Sequence, residues 1–391
     1  MNAIRSGRKK LTRNPRFQLL CCAAVSCVIA LPSQVARAET QWAISANDGH
    51  TTTDSAGKMV TARSSLPDNV TLIKFDQGRP VIGKSLDLPT SVEGPPTTVW
   101  IAPDSSWSIV TAGSHAGTQS GAPVIEDDLV SVISITQGTP KLTQTVHAGL
   151  GASQVSVSPD QKWVLITNRR AGTVSVFAVK RKHLFLDQTL VMGAGSNPAS
   201  VRFMPDGEHA VVILRGRHQL ILLRKSGKGF TIDDHKLSIG HSPNTLDITQ
   251  SGLIAVGDQD TDRPSVHLIL LNGGQPMLLQ TVPVAPSPEP LRFSPNGRYL
   301  AVGAVNNSNK DPSAHGTVTL YHFDKAGLTP VSTANVGRWP QGIIFSPDGG
   351  TLLVQNTADK TMTTLHWDGT KLQDAGTIPM VAGPAAADTA W

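Results

Sequence analysis

Reactive side chains are few in this chain, and their types narrow the chemistry. Beyond residue 38 there is no cysteine, because Cys21, Cys22 and Cys27 all precede it. Thiol catalysis, disulfides and covalently attached haem are therefore excluded there. No Gly-x-Ser-x-Gly elbow and no His-Glu-x-x-His pair occurs, so a serine hydrolase or zinc protease has no motif. Asp258-Gln-Asp260-Thr-Asp262 begins like a calcium loop but lacks the glycine and distal glutamate that would complete one. It reads as an acidic turn, and no metal is expected. Only five glutamates follow residue 38, Glu93 and Glu289 among them. A carboxylate or histidine taking a proton from water, with arginine holding the developing oxyanion, would suffice for hydrolysis of a carbonyl compound. Glu289 or His241 could supply the base, and Arg338 or Arg169 the donor.

Residues so far apart in sequence need a scaffold that brings them together, and a repeat supplies it. Val155-Ser-Val-Ser-Pro-Asp-Gln-Lys-Trp163 returns as Val201-Arg-Phe-Met-Pro-Asp-Gly207, Leu291-Arg-Phe-Ser-Pro-Asn-Gly297 and Ile344-Phe-Ser-Pro-Asp-Gly349. A degenerate copy stands at Leu246-Asp-Ile-Thr-Gln-Ser-Gly252, and Val99-Trp-Ile-Ala-Pro-Asp104 precedes them all. The period of about 45 residues is that of a β-propeller blade. Each unit reads as an apolar strand, a Pro-Asp-Gly turn and three further strands rich in Val, Leu, Ile, Phe and Thr. A single four-stranded sheet cannot bury both faces, so the blades must stack around an axis.

Full units begin near residues 97, 154, 199, 245, 290 and 342, which makes six. The leftovers are complementary: segments 42–46, 69–75 and 80–88 match strands two to four of a blade, and 385–391 matches its missing first strand. The expectation is an all-β, seven-bladed β-propeller over residues 39–391, with the C-terminal strand completing the N-terminal blade. Closure of this kind removes exposed strand edges.

Residues 1–38 stand apart. A basic start, an apolar run over 19–31 and the small-x-small site Ala36-Arg-Ala38 read as a secretory signal peptide. The apolar run is too short for a spanning helix, which needs about 20 residues. The chain has 34 basic and 29 acidic residues, a formal charge of +5, and seven of the basic residues lie in 1–38 without an acidic one. The mature portion keeps 27 basic against 29 acidic residues, a charge of −2, which removes the general driving force for nucleic acid.

Function is expected where the loops entering the first strands meet the loops joining strands two and three, around one mouth of the channel. The entering loops supply Glu93, Asn197, His241, Glu289, Arg338, Trp339 and Gln341; the others supply Asp48, His50, His115, Asn168, Arg169, Arg215, Asp258, Asn306, His315 and Asn356. From these, Glu93, Asn168, Arg169, Asn197, Arg215, His241, Asp258, Glu289, Arg338 and Trp339 are the candidate ligand-binding residues. Three connections, 47–68, 113–128 and 304–316, are long. The first two belong to neighbouring blades and could fold together over the mouth.

The order of a Gly-x-x-Pro loop, an apolar strand, Ser-Pro-Asp-Gly and a strand ending near Asn resembles the YVTN repeat of secreted bacterial propellers. It is carried by Gly195-Ser-Asn-Pro198, Gly240-His-Ser-Pro243, Gly337-Arg-Trp-Pro340 and residues 168–176. Gln250-Ser-Gly252 departs from it in the fifth blade. The same group resembles the propeller lactonases and, more distantly, the heavy subunits of quinoprotein amine dehydrogenases. The motifs make turns and strands, so the resemblance implies fold and leaves function to the site. No complete catalytic signature is present. The expectation is a periplasmic or secreted binding module, monomeric, capturing a small molecule or protein partner at the mouth without a cofactor, nucleic acid or membrane span. The alternative is a lactonase-like hydrolase using mouth carboxylate, histidine and arginine.

Overall fold

The structure, a computed structural model, describes residues 41–391 apart from 64, 65 and 228; the signal-peptide assignment lies outside them. The chain forms seven four-stranded antiparallel blades, and the only helical element among the described residues is a 3-10 turn at Arg215–Arg217. In blade 1 the innermost strand is Gly383–Thr389, followed outward by Ala43–Asp48, Asn69–Asp76 and Arg79–Asp87. Ala43 pairs with Thr389 and Ala46 with Ala386, so the two ends of the propeller close one sheet. Blades 2 to 7 each take four consecutive strands, with innermost strands Val99–Ile101, Ala152–Val157, Pro198–Phe203, Pro243–Ile248, Pro288–Phe293 and Pro340–Phe345.

The repeat works through one stitched turn. Ser158, Ser294 and Ser346 each accept the backbone N–H five residues on, from Trp163, Tyr299 and Thr351, at 3.0, 3.0 and 2.9 Å. The glycines closing two of these turns, Gly297 and Gly349, have φ of +67° and +74°, a region costly for other residues. In blade 5 the divergent Gln250-Ser-Gly252 keeps the device, because Thr249 Oγ1 accepts the Leu253 N–H at 3.0 Å. The second strands are buried along nearly their whole length, and the outermost strands are exposed along most of theirs. Blades lock through apolar side chains on facing sheets. Phe230 of blade 4 meets Trp163 of blade 3 edge-on at 5.7 Å between ring centroids.

The long connections are structured. Within 47–68, Thr51–Thr53 pairs with Met59–Thr61 as a hairpin. Its Thr61 N–H donates to the Ala122 carbonyl at 2.7 Å, and Gly121 N–H donates to Thr61 at 2.8 Å, so segments 47–68 and 113–128 do fold together. From the other side, the loop of blade 6 meets the same hairpin, where the Thr53 hydroxyl donates to the Asn309 carbonyl.

Candidate active site

Each innermost strand runs from the mouth toward the opposite end of the channel. In blades 3, 5, 6 and 7 its pairing with the second strand slips near the mouth, between Ala152 and Val155, Pro243 and Thr245, Pro288 and Leu291, and Pro340 and Ile343. Such bulges re-aim side chains. Gln154, Asn244, Glu289 and Gln341 all sit inside these slips, so Glu289 lies on a strand and not in the loop before it. The second strands end just short of Arg169, Arg215 and Gln259, and the connection from blade 1 to blade 2 carries Glu93.

These residues join in one cluster. Glu289 Oε1 accepts a bond from Gln259 Nε2 at 3.2 Å, and Oε2 accepts bonds from Trp339 Nε1 at 3.3 Å and from Gln341 Nε2. Arg215 donates to Gln259 Oε1 at 2.7 Å, linking guanidinium, amide and carboxylate in a chain. Arg169 donates at 3.4 Å to Asn244 Oδ1, a neutral acceptor. Glu93 pairs with Arg170 at 3.2 Å, and Arg170 also reaches Glu126 at 2.7 Å.

Charge is poorly solvated here. Glu289 faces the open channel but has protein on every side, and this burial pushes its pKa up to about 7 against the opposing pull of Gln259, Trp339 and the two arginines. Burial, with repulsion from Arg215, lowers Arg169 to about 10, and burial lowers Arg215 as well. Glu93 is raised by burial, with Arg170 and Arg169 pulling the other way. Gln154 Nε2, Thr98 Oγ1, Thr245 Oγ1 and, in the cluster itself, Gln341 Oε1 are buried and find no partner among the described residues, a hydrogen-bonding capacity suited to a polar ligand.

The structure thus brings together Glu93, Arg169, Arg215, Glu289 and Trp339 of the candidate ligand-binding residues with Gln341 of the expected mouth residues, and adds Arg170, Asn244 and Gln259. Other residues turn elsewhere. His241 bonds Asp260 at 2.9 Å with its side chain 65% exposed, and Arg338 pairs with Asp359 at 2.6 Å. Glu289, His241 and Arg338 therefore do not converge. Asn168 caps the Gly149 N–H and accepts no part in the channel; its amide donates to Thr173 and Ser175 within its own blade. Asp258 accepts the N–H groups of His241 and Ser242 and faces His267. Asn197 has φ of +43° and an unpaired, buried Oδ1.

Among the described residues, one group has metal-compatible spacing: Asp48, His50 and Asp68. Their oxygens already serve the loops. Asp48 accepts from His50 N, Thr51 N, Thr51 Oγ1 and Val92 N, and Asp68 accepts from Gly49 N and Thr90 N. The trio acts as a clamp on the connection that carries Glu93.

No family model and no curated protein sequence matches the chain. Solved structures do. A 6-phosphogluconolactonase-like protein of Bacteroides fragilis superposes with a TM-score of 0.72 at 16% identity, covering 90% of this chain and 99% of that one. The periplasmic gluconolactonase of Pseudomonas aeruginosa gives 0.66 at 17% identity, covering 88% and 99%. At such identities the likeness establishes fold alone: the chain is a seven-bladed propeller whose structural neighbours are 6-phosphogluconolactonase-like propellers.

Proposed function

We propose that this protein is a lactonase-like hydrolase acting on a polar lactone at the channel mouth. The observation that carries the reading is Glu289, a carboxylate poised near pH 7 and facing two arginines that, among the described residues, no carboxylate contacts directly. A base is most effective when its pKa lies near the working pH. Glu289 takes a proton as water attacks the lactone carbonyl, and Arg169 or Arg215 holds the oxyanion. Collapse breaks the ring C–O bond, the departing alkoxide takes the proton back from Glu289, and a hydroxy acid leaves. The lactonase names among the structural neighbours support this over the binding-module expectation, which retains the same mouth without the chemistry. Export to the periplasm or medium, as in the YVTN-type propellers, is part of the proposal. N-terminal sequencing of the exported protein should begin at Glu39.

The test is a panel of γ- and δ-lactones followed by acid release. Glu289→Gln should lower kcat by about 10² to 10⁴-fold while leaving the melting temperature intact or raised. A wild-type protein that is stabilised by lactones yet hydrolyses none returns the mouth to a binding role.

A further inference from the structure

Beside the central cluster, on the same face, lies a second cavity of about 440 Å³. Three separate segments wall it. Blade 1 contributes the hairpin and Arg63, the 304–316 loop of blade 6 contributes Lys310, and blade 7 contributes Arg338 and Lys360. A β-carbon placed on Gly57 would stand 3.2 Å from Lys310 Cδ, so the lysine stem lies along the hairpin turn. One edge of the cavity is Trp339, whose indole N–H reaches Glu289 on the other side.

The charge of this cavity is unbalanced. Asp359 neutralises Arg338 at 2.6 Å, but among the described residues Arg63, Lys310 and Lys360 have no carboxylate within ion-pair distance. The one acid in the lining, Asp48, is buried and accepts four bonds from its own loop and from Val92. Arg63, Lys310 and Lys360 are exposed residues of three different segments that line one concave space, and a cleft of one sign concentrates counter-ions. A small dianion would satisfy all three and tie the segments together by charge-assisted bonds.

We propose that this cavity binds the tetrahedral dianion of a phosphate, free or as the end group of a small phosphate monoester, through Arg63, Lys310 and Lys360. Its occupancy adds to the Thr53–Asn309 bond in holding the hairpin of blade 1, the 304–316 loop of blade 6 and the Lys360 segment of blade 7 together. The site goes beyond the lactonase reading and does not need it.

The experiment titrates the purified protein at low salt with inorganic phosphate and with glycerol phosphate, against sodium chloride of equal ionic strength. Saturable binding is expected, with the melting temperature raised by about 2 °C at ten times the dissociation constant. Amide exchange should slow in 51–61 and 304–316. A Lys310→Gln/Lys360→Gln double variant should bind at least about tenfold more weakly, a loss of ~1.4 kcal/mol, whereas Lys141→Gln on the outer strand of blade 2 should bind as wild type. Preference for glycerol phosphate assigns the ligand to a phosphate ester, and equal affinity assigns it to the free anion; both support the site. Three results overturn it: a melting shift no larger than that with chloride, a double variant with undiminished affinity, or binding lost in Glu289→Gln but kept in the double variant. The last would place the anion in the central cluster. None of these readouts uses turnover, so they judge the site separately from the proposed hydrolysis.

Discussion

The two ends of the central channel are built from the same strands and treat charge in opposite ways. On the innermost strand of blade 6, Glu289 stands at the mouth and Arg292 three residues further down. At the lower end Arg292 pairs with Asp388 at 2.6 Å and Arg202 with Asp247 at 2.9 Å. Each aspartate also accepts a backbone N–H from another blade, Ile101 for Asp388 and Phe293 for Asp247. Burial disfavours the charge on Arg292, but the two aspartates outweigh it and raise its pKa. At the mouth the direction reverses, and Arg169 falls to about 10 while Glu289 rises to about 7. Where each charge has a dedicated partner, the group belongs to the framework. Where amides and a common channel stand between the charges, the site keeps free electrostatic capacity for a ligand.

Removing Asp388 breaks the lower end most severely. Asp388→Ala leaves Arg292 buried beside an empty place and frees the Ile101 N–H, so denaturant unfolding should show a loss of about 3–5 kcal/mol. Undiminished stability would erase the distinction between the two ends. Arg169→Met is the matching change at the mouth. It removes a poorly paired buried charge, so stability should hold to within about 1 kcal/mol, while lactone turnover drops by about 10² to 10³-fold.

The pH dependence sharpens the contrast further. The folded protein holds the Glu289 proton more tightly than the unfolded chain, whose ordinary value is 4.5. Its contribution to stability is complete below that value and is lost as pH rises through about 7. The melting temperature of Glu289→Gln minus that of wild type should therefore grow between pH 5 and pH 8. A constant difference would show that Glu289 titrates normally. Under the proposed hydrolysis, turnover should rise over the same range as Glu289 loses its proton. The smallest effect belongs to His241→Ala, an exposed side chain on a local aspartate, which should move stability by less than about 0.5 kcal/mol and leave turnover unchanged.

Legibility in the sequence followed the range of the interaction. Ring closure was readable because 385–391 supplies the one strand that 42–46 lacks, and strand pairing realises it at Ala46 and Ala386. The divergent turn of blade 5 was readable as a degenerate copy, and the structure supplies the reason it still works: Thr249 in place of serine offers a hydroxyl at the needed spot. Position in a mouth loop did not reveal side-chain direction. His241 and Arg338 find aspartates on adjoining loops, and Asn168 turns inward to its own strands. Gln259 escaped notice because it is uncharged and stands between the conspicuous Asp258 and Asp260. Its amide bridges Arg215 and Glu289 only because blades 4, 5 and 6 meet at the axis.

By itself the sequence determined the blade, the blade count and the manner of closure, since alternating apolar runs and stitched turns act over a few residues and repeat. The tertiary structure decided which polar side chains share the channel. Bulges at the start of the inner strands aim Asn244, Glu289 and Gln341 inward, and only the assembled ring removes enough water to move the proton affinity of Glu289.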